Sequence, residues 1–66
     1  MKTIYDIQQF LKKYGTIIYI GDREADLELM AAELKALYDS QLIDVKDYQS
    51  GVLILRTEIQ KLKENK

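Results

Sequence analysis

At 66 residues the chain has room for one core and lacks the staples that small domains commonly add. It contains no Cys and no His, which removes disulfides, thiol nucleophiles, the ordinary zinc ligands and the imidazole base. Ten basic and eleven acidic residues leave a net charge of −1, too little cationic character for tight duplex DNA binding, which neutralises many phosphates. Regular helix packing and self-association remain as routes to stability, so a homo-oligomer is one expectation from size alone.

The charge is uneven. Residues 1–15 carry Lys2, Lys12 and Lys13 against Asp6, residues 22–40 carry six acids against Arg23 and Lys35, and residues 44–66 are slightly basic. An anion-binding face is therefore expected from the two ends of the chain. The longest apolar runs, Ile17–Ile20 and Val52–Leu55, are four residues each, whereas a membrane span needs about 20. Met1 to Asp6 contains no continuous apolar core of a signal peptide. With no cysteine, these features lead us to expect a soluble protein of a reducing cytoplasm, with no membrane or metal partner.

In chain order, Ile4, Ile7, Leu11 and Tyr14 recur at spacings of 3, 4 and 3, the stripe of an amphipathic helix. Thr3 and Asp6 make a capping-box-like start, with Asp where Glu or Gln is commoner. Lys12 and Lys13 suit the negative end of the helix dipole, and Gly15 suits a left-handed stop.

Thr16-Ile17-Ile18-Tyr19-Ile20 follows, β-branched and apolar between Gly15 and Gly21, and reads locally as a strand. The rest of the chain offers no second strand to pair with it. The leading expectation is an extended connector lying on the core. Pairing with another molecule and a distorted helical turn remain open.

Asp22 is a plausible N-cap, and Glu24, Asp26 and Glu28 load the following turns with negative charge. Leu27, Met30, Leu34 and Leu37 form the second stripe, widened by Ala31 and Tyr38. Ser40 and Gln41 end it without glycine, which leaves the terminus undefined.

The third stripe is the most regular: Val45, Tyr48, Val52, Leu55, Ile59 and Leu62, capped by Asp44 with Asp47 three residues on. Gly51 lies inside it and costs about 0.5–1 kcal/mol relative to Ala. Close approach of a neighbouring helix and a tolerated imperfection both account for it, and the second is slightly preferred. Only Ser40 to Asp44 separates the second and third helices, which forces an antiparallel hairpin. Leu42 and Ile43 are expected to plug its closed end. The expected fold is all-α: a single three-helix bundle over residues 1–66 with an apolar extended connector between helices 1 and 2.

The chemistry on offer is narrow. No Ser or Thr stands beside a recognisable base, and the three glycines form no phosphate-cradling loop. Asp22, Glu24, Asp26, Glu28 and Glu33 fall at positions 1, 3, 5, 7 and 12 of a calcium-loop numbering. The glycine required at position 6 is replaced by Leu27, so a solvated acidic helix start is the better account. We expect no catalytic residue, no cofactor and no metal.

Two binding features are left over. Tyr14, Tyr38 and Tyr48 lie on stripes and default to packing, whereas Tyr19 sits in the connector near Arg23, with Lys12 and Lys13 in reach if the loop folds back. Aromatic rings beside cations are the ingredients of a single-stranded nucleic-acid site. Leu29, Leu53 and Ile54 lie off the main stripes. Leu53 can face the remaining helix of a bundle, but Ile54 and Leu29 are hard to bury together. A cluster of such residues marks a protein interface or an oligomerisation surface, the leading functional expectation.

The run Tyr14-Gly15-Thr16-Ile17-Ile18-Tyr19 with Gly21-Asp22-Arg23, then Asp26, Glu28-Leu29-Met30 and Glu33-Leu34, resembles the YqgQ-like family of small Firmicutes proteins. The likeness continues through Leu37-Tyr38, Leu42-Ile43 and Leu53 to Arg56, nearly the whole chain. The resemblance implies a three-helix bundle in a bacterial cytoplasm with no established biochemical activity. It also implies a candidate single-stranded nucleic-acid binder, carried on Tyr14, Thr16, Tyr19 and Arg23 with Lys12 and Lys13 beside them. The hairpin from Leu34 to Leu55 looks, more generically, like helical hairpins that serve as oligomerisation modules.

Overall fold

The computed structural model describes residues 1–64. Among them are three helices and no strand: α1 (Ile4–Lys13), α2 (Arg23–Asp39) and α3 (Val45–Glu64). The all-α three-helix reading of the sequence is what the structure has. The antiparallel α2–α3 hairpin forms the broadest interface, and α1 packs across it.

Helix boundaries follow the local chemistry. Thr3 Oγ1 accepts from the Asp6 N–H at 3.1 Å while Asp6 accepts from the N–H groups of Lys2 (2.9 Å) and Thr3 (3.1 Å), a complete capping box. Those two backbone donors, Lys2 first, hold the exposed Asp6 carboxyl below its ordinary value. A depressed carboxylate stabilises the fold at neutral pH, and its contribution fades in acid as the pH falls through the lowered value. Asp22 accepts from Ala25 at 3.1 Å to start α2, and Asp44 accepts from Asp47 at 2.8 Å to start α3.

Both connector entrances are Schellman stops. After α1, Gly15 N–H donates to Lys12 and Thr16 N–H to Leu11, with Gly15 at φ +85°. After α2 the same pair of bonds runs from Gln41 to Tyr38 and from Leu42 to Leu37, with Gln41 at φ 62°. So α2 ends as sharply as α1 without a glycine, using a side-chain-bearing residue in a conformation that favours glycine.

The core is Ile7 and Leu11 from α1, Leu27, Met30, Leu34 and Leu37 from α2, Ile43 from the loop and Leu55 from α3. Each large apolar side chain fully buried contributes about 1.5–3 kcal/mol. Ile18, Tyr48, Ile54, Ile59 and Leu62 are among the half-buried residues that close around it. Of the two residues expected to plug the hairpin, Ile43 does so. Leu42, the residue after the left-handed Gln41, is turned out and exposed.

Gly51 corrects the expectation of a tolerated imperfection. It is buried, and a methyl group added there would stand 2.6 Å from Leu34 Cδ1 and 3.4 Å from Met1 Cε. The glycine therefore sits where the Leu34 side chain presses directly on the α3 backbone.

Gln41→Gly should raise stability by about 0.5–1 kcal/mol by removing a Cβ from a left-handed residue. Urea denaturation of the two proteins tests this, and an equal or lower midpoint for the glycine variant contradicts it.

Candidate functional site

Thr16 to Ile20 runs between the helices without helix, turn or bend. It is tied down at both ends and once in the middle. Thr16 N–H is held by the α1 stop, and Ile18 packs on the core. At the far end Ile20 N–H donates to Asp26 Oδ1 at 2.8 Å. Asp26 is only 8 % exposed, and its recruitment from the acidic start of α2 fixes where the connector ends. Gly21, at φ +93°, then turns the chain into Asp22. The alternation is that of a half-buried strand: Ile18 faces in, while Ile17 and Tyr19 on either side face solvent, 78 % and 86 % exposed.

Two clefts flank this segment. One of about 290 Å³ is lined by Gln8, Gln9, Leu11 and Lys12 of α1, by the connector from Thr16 to Tyr19 and by Met30. The second, about 240 Å³, lies toward Gly21, Arg23 and Asp26 and shares Gln8, Ile18, Tyr19 and Met30 with the first.

The residues suggested for nucleic-acid contact divide between these clefts and elsewhere. Lys12, Thr16 and Tyr19 line the first cleft, and Tyr19 and Arg23 line the second. Lys13 lies over the Phe10 ring, 6.0 Å from its centroid. Tyr14 packs against Phe10 with ring centroids 5.3 Å apart, and its hydroxyl points to the Leu42 carbonyl at 3.5 Å. Lys13 and Tyr14 therefore do not line either cleft. Thr16 donates to Glu33 Oε2 at 3.4 Å, which sets a carboxylate beside it and disfavours an anion at that point.

The residues suggested for a protein interface divide as well. Leu29 is exposed on α2. Leu53, expected to face the remaining helix, is 67 % exposed: α1 crosses the hairpin on the side of Leu55, leaving Leu53 in solvent. Ile54 is half-buried against the core and belongs to the packing. Tyr38 and Tyr48 stack across α2 and α3 with centroids 4.5 Å apart, which accounts for both rings by packing.

Sequence reasoning missed Asp26, read only as one of several dipole-favoured acids. Its spacing from the apolar run was the available signal, but nothing in the sequence distinguishes it from Glu24 or Glu28. Among the described residues no helix is long and apolar enough to cross a membrane.

Asp26→Ala should cost about 1–3 kcal/mol, the range for losing a hydrogen bond to a buried charged acceptor. Ile20 amide exchange should rise more than that of Leu55, and Asp26→Asn, which keeps an acceptor, should recover part of the loss. Uniform acceleration across the core would show that Asp26 does not act on the connector.

Two comparisons bear on the chain as a whole. The sequence profile described as YqgQ-like matches residues 1–61. The chain is also 43% identical over 63 residues to the "Uncharacterized protein YqgQ" of Bacillus subtilis (strain 168), covering 96% of this chain and 89% of that one.

Proposed function

The chain belongs to the YqgQ-like family, and on that footing we propose that it is a non-enzymatic cytoplasmic protein that works by binding a protein partner or a second copy of itself. The observation that carries this reading is the exposure of Ile17 and Tyr19, two large apolar side chains on a segment whose ends are pinned. Exposed apolar residues scattered singly need no explanation, but Ile17, Tyr19 and Ile20 are all exposed within one run of four. The segment carries no charge to keep it in water. A pinned apolar surface also loses little conformational entropy on binding, which favours recognition.

Site-specific photocrosslinking in cells tests this. A benzophenone side chain at position 17 should give a discrete adduct that the same group at the exposed Lys46 does not, and Tyr19→Ser should weaken it. Adducts of equal yield from both positions would count against the reading. Because Ile17 and Tyr19 are exposed, Ile17→Ser and Tyr19→Ser should each change stability by no more than about 0.5 kcal/mol.

A second reading, single-stranded nucleic-acid binding, is favoured by one observation. Tyr19 lines both clefts, with Lys12 in one and Arg23 in the other, so an aromatic platform lies between two cations. A labelled single-stranded oligonucleotide, titrated at low and moderate salt, should then bind in a salt-sensitive way, and Arg23→Ala should lower the salt slope by about 1. No binding at low salt would end this reading.

A further inference from the structure

The stack of Tyr38 on Tyr48 brings two phenols into contact across the hairpin. The rings lie with centroids 4.5 Å apart and 9° from parallel. Tyr38 belongs to the last turn of α2 and Tyr48 to the first turn of α3, on either side of the connecting loop. Tyr38 is 37 % exposed and Tyr48 is half-buried against the core, so one ring is open to solvent and the other is held by packing. Among the described residues this is the one pair of tyrosines in ring contact, since Tyr14 packs on Phe10, which has no phenol to oxidise. The chain has no Cys, Trp or His, which leaves tyrosine as the side chain that most readily gives up a single electron.

We propose that Tyr38 and Tyr48 form an oxidative coupling site, joined carbon to carbon by a haem peroxidase with hydrogen peroxide as the oxidant, so that a covalent staple closes the α2–α3 hairpin. The site is independent of whatever the connector binds. Each phenol loses one electron and its hydroxyl proton, which leaves a neutral phenoxyl radical with spin density on the ring carbons beside the oxygen. One such carbon from each ring forms the new bond. Each joined carbon then sheds its hydrogen as a proton while its phenol oxygen regains one. A single hydrogen peroxide takes up the two electrons and two protons and leaves as two molecules of water. The chain loses two hydrogens, and both hydroxyls remain.

Contact within one chain favours this pair over Tyr5 and Tyr19, which are more exposed but must meet on separate molecules. Tyr38 stands at the surface, so its ring has room to turn out of the stack as the bond forms. The link closes a loop of about ten residues and restricts the unfolded chain, as a disulfide does in sequences that contain cysteine.

The test treats the dilute full chain with a plant haem peroxidase and hydrogen peroxide. A monomer lighter by two hydrogens is expected, with dityrosine fluorescence and with the tryptic peptides Ala36–Lys46 and Asp47–Arg56 joined. Its melting temperature should rise by on the order of 10 °C. Tyr38→Phe and Tyr48→Phe, which keep the stacked rings, should each abolish this product, and Tyr14→Phe should leave it unchanged. Should a variant fail to fold, the peptide map of the unaltered chain still decides the matter. Failure of the two peptides to join overturns the proposal, as does a product dominated by links through Tyr5 or Tyr19. A joined pair with an unchanged melting temperature overturns the staple.

Discussion

The spacing between α2 and α3 at Gly51 is the constraint on which the rest of the molecule depends. Leu34 reaches the α3 backbone there because no Cβ intervenes, and it is fully buried as a result. Leu55, one turn further along α3, is fully buried as well. A chain of this size has no disulfide to hold two helices in register, so a tight seam must come from packing. The helix-propensity cost of glycine, about 0.5–1 kcal/mol, is smaller than the dispersion and burial that close contact returns over several large side chains. With that seam closed, α2 presents Leu27, Met30, Leu34 and Leu37 as one surface on which Ile7 and Leu11 of α1 can settle.

The position of α1 then dictates the connector. Its chain must leave the Schellman stop at Gly15 and regain the start of α2 at Asp22, and it cannot do so as a helix. Ile18 takes the inward position, and the two-residue period puts Ile17 and Tyr19 outside. Asp26 secures the far end from within the first turns of α2. A strand-like segment is thereby held at its two ends, with the Thr16 and Ile20 amides bonded and no hydrogen bond from Ile17, Ile18 or Tyr19 to any described residue.

Much of this was legible in the sequence, and the parts that were not share a cause. The stripes located all three helices, and the polar residues at Thr3, Asp6, Asp22 and Asp44 marked their starts, because helix periodicity and capping are local physics. Gly51 was not legible, since a buried glycine and an incidental one look identical until the opposing Leu34 is known. Leu53 and Ile54 were judged by distance from the stripe alone. Their fates depend on which side α1 crosses, a tertiary fact. Gln41 in a left-handed conformation and Asp26 as the holder of Ile20 are further cases in which one residue type serves several roles and only the neighbours select among them.

The energetics of the open edge bear on why it is there. Proteins ordinarily blunt an exposed strand edge with charge, proline or a bulge, because unpaired backbone beside apolar side chains invites other chains to pair. Thr16 to Ile20 has none of these: it is uncharged, contains no proline and is β-branched at four of its five positions. Its nearest charges, Lys12 and Arg23, line the flanking clefts. An edge left this open in a domain whose core is only eight residues strong adds a hazard without adding stability. Anchoring by Ile18 and Asp26 limits that hazard by holding the segment in one register. Such an arrangement is costly as mere linkage between two helices, for which a short polar loop would suffice.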